Sequence, residues 1–274
     1  MAIEASERCA MIPAKRQTEI INLLLHRGIV TTVELASLLD VSSMTIRRDI
    51  RVLEEQGRVV AVSGGAQLAG RLFKEPSHLD KSELHTPEKG AIGELAARLL
   101  SPNMTVYLDA GTTVLEIAHH LVNRSDLTIV TNDFVTAAFI AKETHCELWH
   151  TGGMVERENQ SCIGSAAAEM IRRFNFDLAF ISTSSFDQRG VSTPSESKVA
   201  VKQAIADSSH RRVLVTDSSK YGMFSAFCAL PLSRLTDVVS DSELPQSARD
   251  LIIQQGVQLH LTNSIETNAL EVAR

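Results

Sequence analysis

Hydrophobic positions follow two different rhythms along this chain. In the first sixty residues they return every three or four positions: Ile20, Ile21, Leu23, Leu24 and Leu25, then Val33, Leu35, Ala36, Leu38 and Leu39, then Ile46, Ile50 and Leu53. Each set gathers on one side of a helix. The spacing predicts a helix over 13–27 ending at Gly28, a second capped by Thr32, and a third capped by Ser42 or Ser43 and closed by Gly57. Asp40, Val41 and Ser42 separate the second from the third by a short turn. The β-branched run from Arg58 to Val62, followed by Gly64-Gly65, predicts a small hairpin or wing.

From Met104 onward the rhythm changes to short β-like runs alternating with helical patterns. Strands are predicted at 105–108, 127–130, 147–150, 178–182, 212–215, 237–240 and 257–261, with helices at 113–121, 133–142, 165–174, 195–208 and 246–255. Repeated strand-helix units imply a mainly parallel sheet covered on both faces. Between the two regimes, residues 67–90 mix Gly70, Pro76 and Pro87 with polar residues and read as a linker holding a helical piece. Helical spacing resumes from Lys89 to Leu100. The expected organisation is a small all-α, winged helix-turn-helix domain over 13–68, a linker over 69–90, and an α/β domain over 91–274. Residues 1–10 show no periodicity, and MIPAKRQTEI reads as a start at Met11, which makes the first ten an extension or a misassigned start.

The third helix carries the first candidate chemistry. At about 100° per residue, the side opposite Ile46, Ile50 and Leu53 presents Met44, Arg48, Arg51 and Glu55, flanked by Ser43, Thr45 and Arg47. Short polar groups and arginines suit a helix entering a DNA major groove. Arginine bonds guanine bidentately, while hydroxyls and methionine meet phosphates or thymine methyls. Thr32, Ser42, Ser43, Met44, Thr45, Arg47, Arg48 and Arg51 are therefore the candidate DNA contacts. Two helices, a short turn, a polar outward face and a hairpin together make the arrangement more specific than an arginine pair alone.

Composition modifies this picture in one respect. Apolar content of 44% and charged content of 22% are ordinary for a globular protein. The net charge of −6 argues superficially against nucleic acid, but residues 1–74 hold ten Lys/Arg against eight Asp/Glu, while the remaining 200 hold 17 against 25. DNA responds to the local field within about 8 Å. A module at only +2 suggests that two copies bind together. No stretch has the length of a membrane span, and no secretory leader is evident, so a cytoplasmic location is expected. Cys9, Cys146, Cys162 and Cys228 lack metal-type spacing and read as incidental thiols, and the nine histidines show no HExxH. Neither a metal nor a cofactor is expected.

In doubly wound sheets, ligands collect beyond the carboxyl ends of the strands. There the chain places Asp109-Ala110-Gly111-Thr112-Thr113, opening directly into a helix. Glycine lets backbone approach an anion, threonine hydroxyls donate, and free amides at a helix start carry partial positive charge. This is phosphate-binding chemistry, without the GK[ST] of a Walker loop. Other strand ends add Thr131-Asn132, Thr151-Gly152-Gly153, and the turn Thr216 to Gly222 with Lys220 as a cation. Asp109, Gly111, Thr112, Thr113, Asn132, Gly152, Gly153 and Lys220 are the candidate effector contacts.

SSMTIRRDIRVLEEQG followed by GGA is similar to the amino-terminal winged helix-turn-helix of the DeoR family of bacterial transcriptional regulators. LDAGTT, VTN, TGG, FDLAFI and TDSSKYG resemble that family's effector domain, so the similarity runs from about Arg16 to about Leu261. Two departures stand out. The wing has Ala61 and Ser63 where the family usually carries arginine and histidine or tyrosine, which leaves the DNA contacts to the helix. After FDLAFI the chain reads Ser182-Thr183-Ser184-Ser185, where the family usually has glycines. The resemblance implies an effector domain with the fold of ribose-5-phosphate isomerase, and a phosphorylated sugar or related metabolite as effector. The hydroxyl-rich loop leaves the choice between sugar phosphate and sugar acid open.

The expected function is a ligand-responsive repressor of a carbohydrate-utilisation operon, binding double-stranded operator DNA as a homo-oligomer, dimer or tetramer. The alternative is a sugar-phosphate isomerase-like enzyme with an appended DNA-binding module. Asp109, Asp177, Glu196, Lys198, Lys202 and Lys220 are available for acid-base work. An isomerase has no use for a recognition helix, so no catalytic residues are assigned. A DNA-binding scaffold with no effector is a third reading.

Overall fold

Ile20, Leu24, Leu35, Ile46, Ile50 and Leu53, scattered over three helical stretches, meet in one apolar core with Val30, Val59 and Ala66. The computed structural model describes residues 11–263 apart from 28, 56–57, 69, 71 and 73, so the expected helix ends at Gly28 and Gly57, and Cys9, lie outside the described residues. The chain divides into two compact units, Met1–Ala69 and Gly70–Arg274.

The first unit contains α1 (Pro13–Arg27), β1 (Ile29–Thr31), α2 (Thr32–Leu38), α3 (Ser43–Glu55), β2 (Val59–Val62) and β3 (Gly65–Leu68). The wing is an antiparallel sheet in the order β1-β3-β2, and β1 was not expected from the sequence. A strand of only three residues, alternating exposed, buried, exposed, leaves too short a trace to read beforehand. Gly65 is required where the strands cross, because a Cβ there would stand 2.4 Å from the Val30 carbonyl oxygen.

The second unit begins with α4 (His78–Ser82), α5 (Thr86–Ala97), β4 (Thr105–Leu108), α6 (Thr112–His119), β5 (Thr128–Thr131), α7 (Phe134–Glu143) and β6 (Glu147–His150). It continues with β7 (Met154–Glu156), β8 (Ser161–Ile163), α8 (Gly164–Ile171), β9 (Phe176–Ile181), β10 (Ser185–Asp187), β11 (Gly190–Thr193), α9 (Glu196–Asp207) and β12 (Ser209–Val215). β13 (Phe227–Leu230), β14 (Asp237–Ser240), α10 (Gln246–Gln254) and β15 (Gln258–Leu261) complete it. Seven strands form a parallel sheet in the order β15-β14-β12-β9-β4-β5-β6. Val106, Leu108, Ile129, Leu178, Phe180, Val213 and Val215 point to one side and pack with Ile92 and Ala96 of α5 and Val114 and Ile117 of α6. On α9, Val201, Ala204 and Ile205 are buried, and this helix packs against α8, β9 and β12.

The order reverses between β4 and β9: β5 and β6 lie to one side of that pair, β12, β14 and β15 to the other. The carboxyl ends of β4 and β9 therefore part around a crevice, the usual ligand position in such sheets. Residues 69–90, expected as a linker, are more than a tether. Gly70 and Leu72 exchange backbone hydrogen bonds with Phe224 (3.0 and 2.7 Å), Ser77 caps α4 in a reciprocal box with Asp80, and α5 starts at Thr86. Among the described residues, no helix is long and apolar enough to cross a membrane.

Candidate DNA-reading surface and effector cavity

On α3, Ile46, Asp49, Ile50 and Leu53 turn inward. Asp49 is 4% exposed and receives Arg16 of α1 through Nε (2.5 Å) and Nη2 (3.2 Å), a buried ion pair that locks α3 across α1. The pair was missed in the sequence, although Asp49 lies three residues from Ile46 and four from Leu53, on the apolar side. Ser43, Arg47, Arg48 and Arg51 are exposed, and Met44 is 81% exposed. Ser42 caps the helix: its Oγ accepts from the Thr45 amide at 3.1 Å and lies 2.9 Å from the Thr45 hydroxyl.

Thr32 is a correction. The cap of α2 is Thr31, whose hydroxyl accepts from the Glu34 amide while the Glu34 carboxylate accepts from the Thr31 amide. Thr32 is buried, and both its amide and its hydroxyl donate to the Gly64 carbonyl (2.8 and 3.0 Å), tying α2 to the wing turn. Its hydroxyl is therefore spent within the unit.

In the second unit, the crevice between β4 and β9 opens into a cavity lined by Glu75, His78, Asp109, Asn132, Lys198 and Lys202 among others. A neighbouring lobe shares Glu75, Lys81, Gly111 and Ser182 to Ser184 and adds Lys89, Thr112, Thr113 and Lys220. Thr112 and Thr113 form the first turn of α6, so its free amides face this lobe with three lysines nearby, a field suited to an anion. Gly111 is held close to Ser182: a Cβ there would lie 2.9 Å from the Ser182 Cβ.

Asp109 and Lys202 form the floor. Asp109 Oδ2 accepts from Lys202 Nζ (2.7 Å), Ser182 N (3.0 Å) and Ser182 Oγ (3.1 Å), and Oδ1 accepts from Ala110 N (2.9 Å). Asp109 borders the cavity but is committed to an internal counter-ion. Asn132 is likewise engaged at both ends, accepting from Tyr107 Oη at 3.0 Å and donating to the Cys162 carbonyl at 2.9 Å. Gly152 and Gly153 are not among the residues bordering either lobe. Both have positive φ, at +65° and +116°, and they turn the chain from β6 into β7, with Gly153 against Ala167 at the start of α8. Gly111, Thr112, Thr113 and Lys220 are brought together as expected.

Several charged groups that line the cavity were not among the expected effector contacts. Glu75 sits between Lys81 Nζ (2.7 Å) and Lys198 Nζ (2.5 Å), and Lys198 also reaches Glu156 (2.7 Å). Burial pushes the Glu75 carboxyl up, but the two ammonium groups outweigh it and hold its pKa at about 2. Lys198 is pushed down by burial yet ends above its ordinary value through Glu75 and Glu156. Burial lowers Lys89, whose ammonium donates to the Lys81 carbonyl, and also lowers His78, favouring neutral imidazole. A sequence signal existed for Lys89, which shares the buried stripe of α5 with Ile92, Gly93 and Ala96. Lys198 and Lys202, four apart on α9, were noted only as acid-base groups. Of the other groups considered for catalysis, Asp177 is exposed, bonds the Thr105 amide and borders neither lobe, and Glu196 is exposed.

A helix-turn-helix unit followed by an α/β unit with a polar cavity at its switch point is the make-up of a DNA-binding regulator with a sensor domain. A model of the DeoR-like helix-turn-helix domain matches residues 16–71, and one of the DeoR C-terminal sensor domain matches residues 84–242. The chain belongs to the DeoR family of transcriptional regulators. It is 50% identical to the HTH-type transcriptional regulator YgbI of Escherichia coli K12, over 91% of this chain and 98% of that one. It is 31% identical to the glycerol-3-phosphate regulon repressor of Escherichia coli K12 (92% and 100% covered) and 30% identical to the repressor GlcR of Bacillus subtilis 168 (93% and 99% covered). Among solved structures it is similar to ribose 5-phosphate isomerase A from Methanocaldococcus jannaschii, at a TM-score of 0.36 and 14% identity over 48% of this chain and 53% of that one. So distant a likeness says nothing about activity.

Proposed function

We propose that this chain is a cytoplasmic repressor of a carbohydrate-utilisation operon, released from its operator when a phosphorylated sugar or sugar acid enters the sensor cavity. The observation that carries the effector reading is the lobe in which Gly111, Thr112 and Thr113 open a helix beside Lys81, Lys89 and Lys220. Glycerol 3-phosphate, named for one of the relatives, belongs to the same chemical class. On this reading two or four copies associate so that paired α3 helices meet operator half-sites. The effector must favour one arrangement; a preference of about 1–3 kcal/mol changes DNA affinity about 5- to 150-fold.

The DNA half is tested by gel shift on the DNA upstream of its own operon. Arg48→Ala is expected to weaken binding about 5- to 150-fold, the equivalent of losing about 1–3 kcal/mol of base contact, with an unchanged circular dichroism spectrum. Unaltered affinity would refute the assignment of α3. The effector half is tested by a thermal-shift screen of sugar phosphates, in which Thr113→Ala and Lys220→Ala should abolish any rise in Tm.

The engagement of Asp109 with Lys202 argues against the isomerase alternative, since this carboxylate is held in an ion pair and receives three further hydrogen bonds. Turnover of a pentose or hexose phosphate by the purified protein, lost in Lys220→Ala, would restore that alternative.

A further inference from the structure

Glu75 has an unusual position for a residue of a connecting segment. It lines both lobes of the cavity, and its carboxylate bridges Lys81 of α4 and Lys198 of α9, all three side chains being 13% exposed. The lysines stand on helices. The carboxylate belongs to the irregular strap 74–77; just before it Leu72 donates to the Phe224 carbonyl (2.7 Å), and just beyond it the His78 amide reaches the Glu158 carbonyl (2.8 Å). An anion gripped by two ammonium groups in a ligand cavity is placed as a bound carboxylate would be.

A second observation points the same way. His78 and Ser161 are among the residues lining the larger lobe, 7% and 1% exposed, and neither His78 Nε2 nor Ser161 Oγ has a hydrogen-bond partner among the described residues. Buried polar atoms are nearly always paired, so these two mark where ligand hydroxyls fit.

Resting on the sugar-phosphate reading above, we propose that Lys81 and Lys198 form a second anion subsite that Glu75 occupies in the absence of effector. The effector is accordingly a small polyol with two anionic groups: a phosphate for the threonine lobe and a carboxylate that takes the place of Glu75. The exchange substitutes one carboxylate for another, so neither lysine is left uncompensated in a buried place. A ligand with a phosphate alone leaves Glu75 seated. Because Glu75 rides on the strap through which the chain leaves the first unit, the carboxylate end of the ligand carries the signal.

The test is titration calorimetry on the full chain with matched probes: glycerol 3-phosphate against 3-phosphoglycerate, and glucose 6-phosphate against 6-phosphogluconate. In at least one pair the acid should bind tenfold or more tightly. Glu75→Gln removes the internal competitor and should widen the gap, with Glu75→Asp as the folded control. Lys198→Gln should shrink the gap below twofold while the phosphate response remains, and Lys198→Arg should keep it. Equal binding of acid and non-acid in both pairs, or an undiminished gap in Lys198→Gln, overturns the proposal and leaves the sugar-phosphate reading standing. If no probe binds the parent chain or Glu75→Gln, both fall together.

Discussion

Removing the carboxylate of Asp109 tests whether this residue is structural rather than a ligand contact. The Asp109 and Lys202 side chains are 4% and 8% exposed. Asp109→Ala leaves the Lys202 ammonium, among the described residues, facing only the Ser182 carbonyl (2.7 Å) and strands the backbone amides of Ser182 and Ala110, while the Ser182 hydroxyl keeps the Ala110 carbonyl. Breaking a buried pair from one side costs about 3–5 kcal/mol, because the surviving charge is left desolvated. In a unit of this size each kcal/mol moves Tm by about 2–4 °C, so a fall of about 6–20 °C is expected. The chain's one tryptophan, Trp149, lies on β6 with its ring 5.7 Å from that of Phe174, so its fluorescence in urea follows the sensor unit separately from the DNA-reading unit. Asp109→Ala combined with Lys202→Met removes both charges and should recover most of the loss. A single variant that loses less than about 1 kcal/mol, or a double variant as unstable as the two singles added, would refute the reasoning.

Three further outcomes follow from the geometry. Thr31→Ala removes the cap of α2 and should cost about 0.5–2 kcal/mol of stability in the first unit, read by circular dichroism melting. Asp237, 2% exposed, is pushed up by burial but held at about 2 by Arg211, Thr236 and His260, below its ordinary 3.8. Its contribution of about 2 kcal/mol is therefore full above pH 4 and lost as pH falls through 2, and Asp237→Asn should flatten acid unfolding in that window. Gly152→Ala forces a side chain into left-handed backbone at a cost of about 1–2 kcal/mol, yet should leave the affinity for phosphate probes unchanged, since Gly152 borders neither lobe.

The elements were legible because each one buries a face. Period-four stripes identified α1 to α3, and apolar runs between helical segments identified the seven parallel strands, with ends shifted by at most three residues. The strands outside that sheet, β7, β8, β10, β11 and β13, escaped notice. They are three or four residues long, and several alternate weakly or not at all, as in the exposed Met154-Val155 and the hydroxyl-rich Ser185 and Ser192.

The candidate site divides along the same line. Gly111, Thr112 and Thr113 could be recognised because a glycine-threonine turn between a strand and a helix has local consequences: free amides, a dipole and room for an anion. Lys81, Glu75 and Lys202 could not, because their meaning depends on partners 6 to 123 residues away, such as Lys202 with Asp109 and Lys198 with Glu75.

Sequence alone determined the two units, the outward arginines of α3 and the glycine-threonine turn between β4 and α6, since period and turn chemistry act over a few residues. Tertiary structure decided which charges are spent and which are available. It withdrew Thr32 into the wing, committed Asp109 to Lys202, moved Gly152 and Gly153 away from the cavity, and brought the strap residue Glu75 into it. Whether a buried charge is structural or ligand-facing depends on what lies within about 3–4 Å of it, and chain order does not encode that distance.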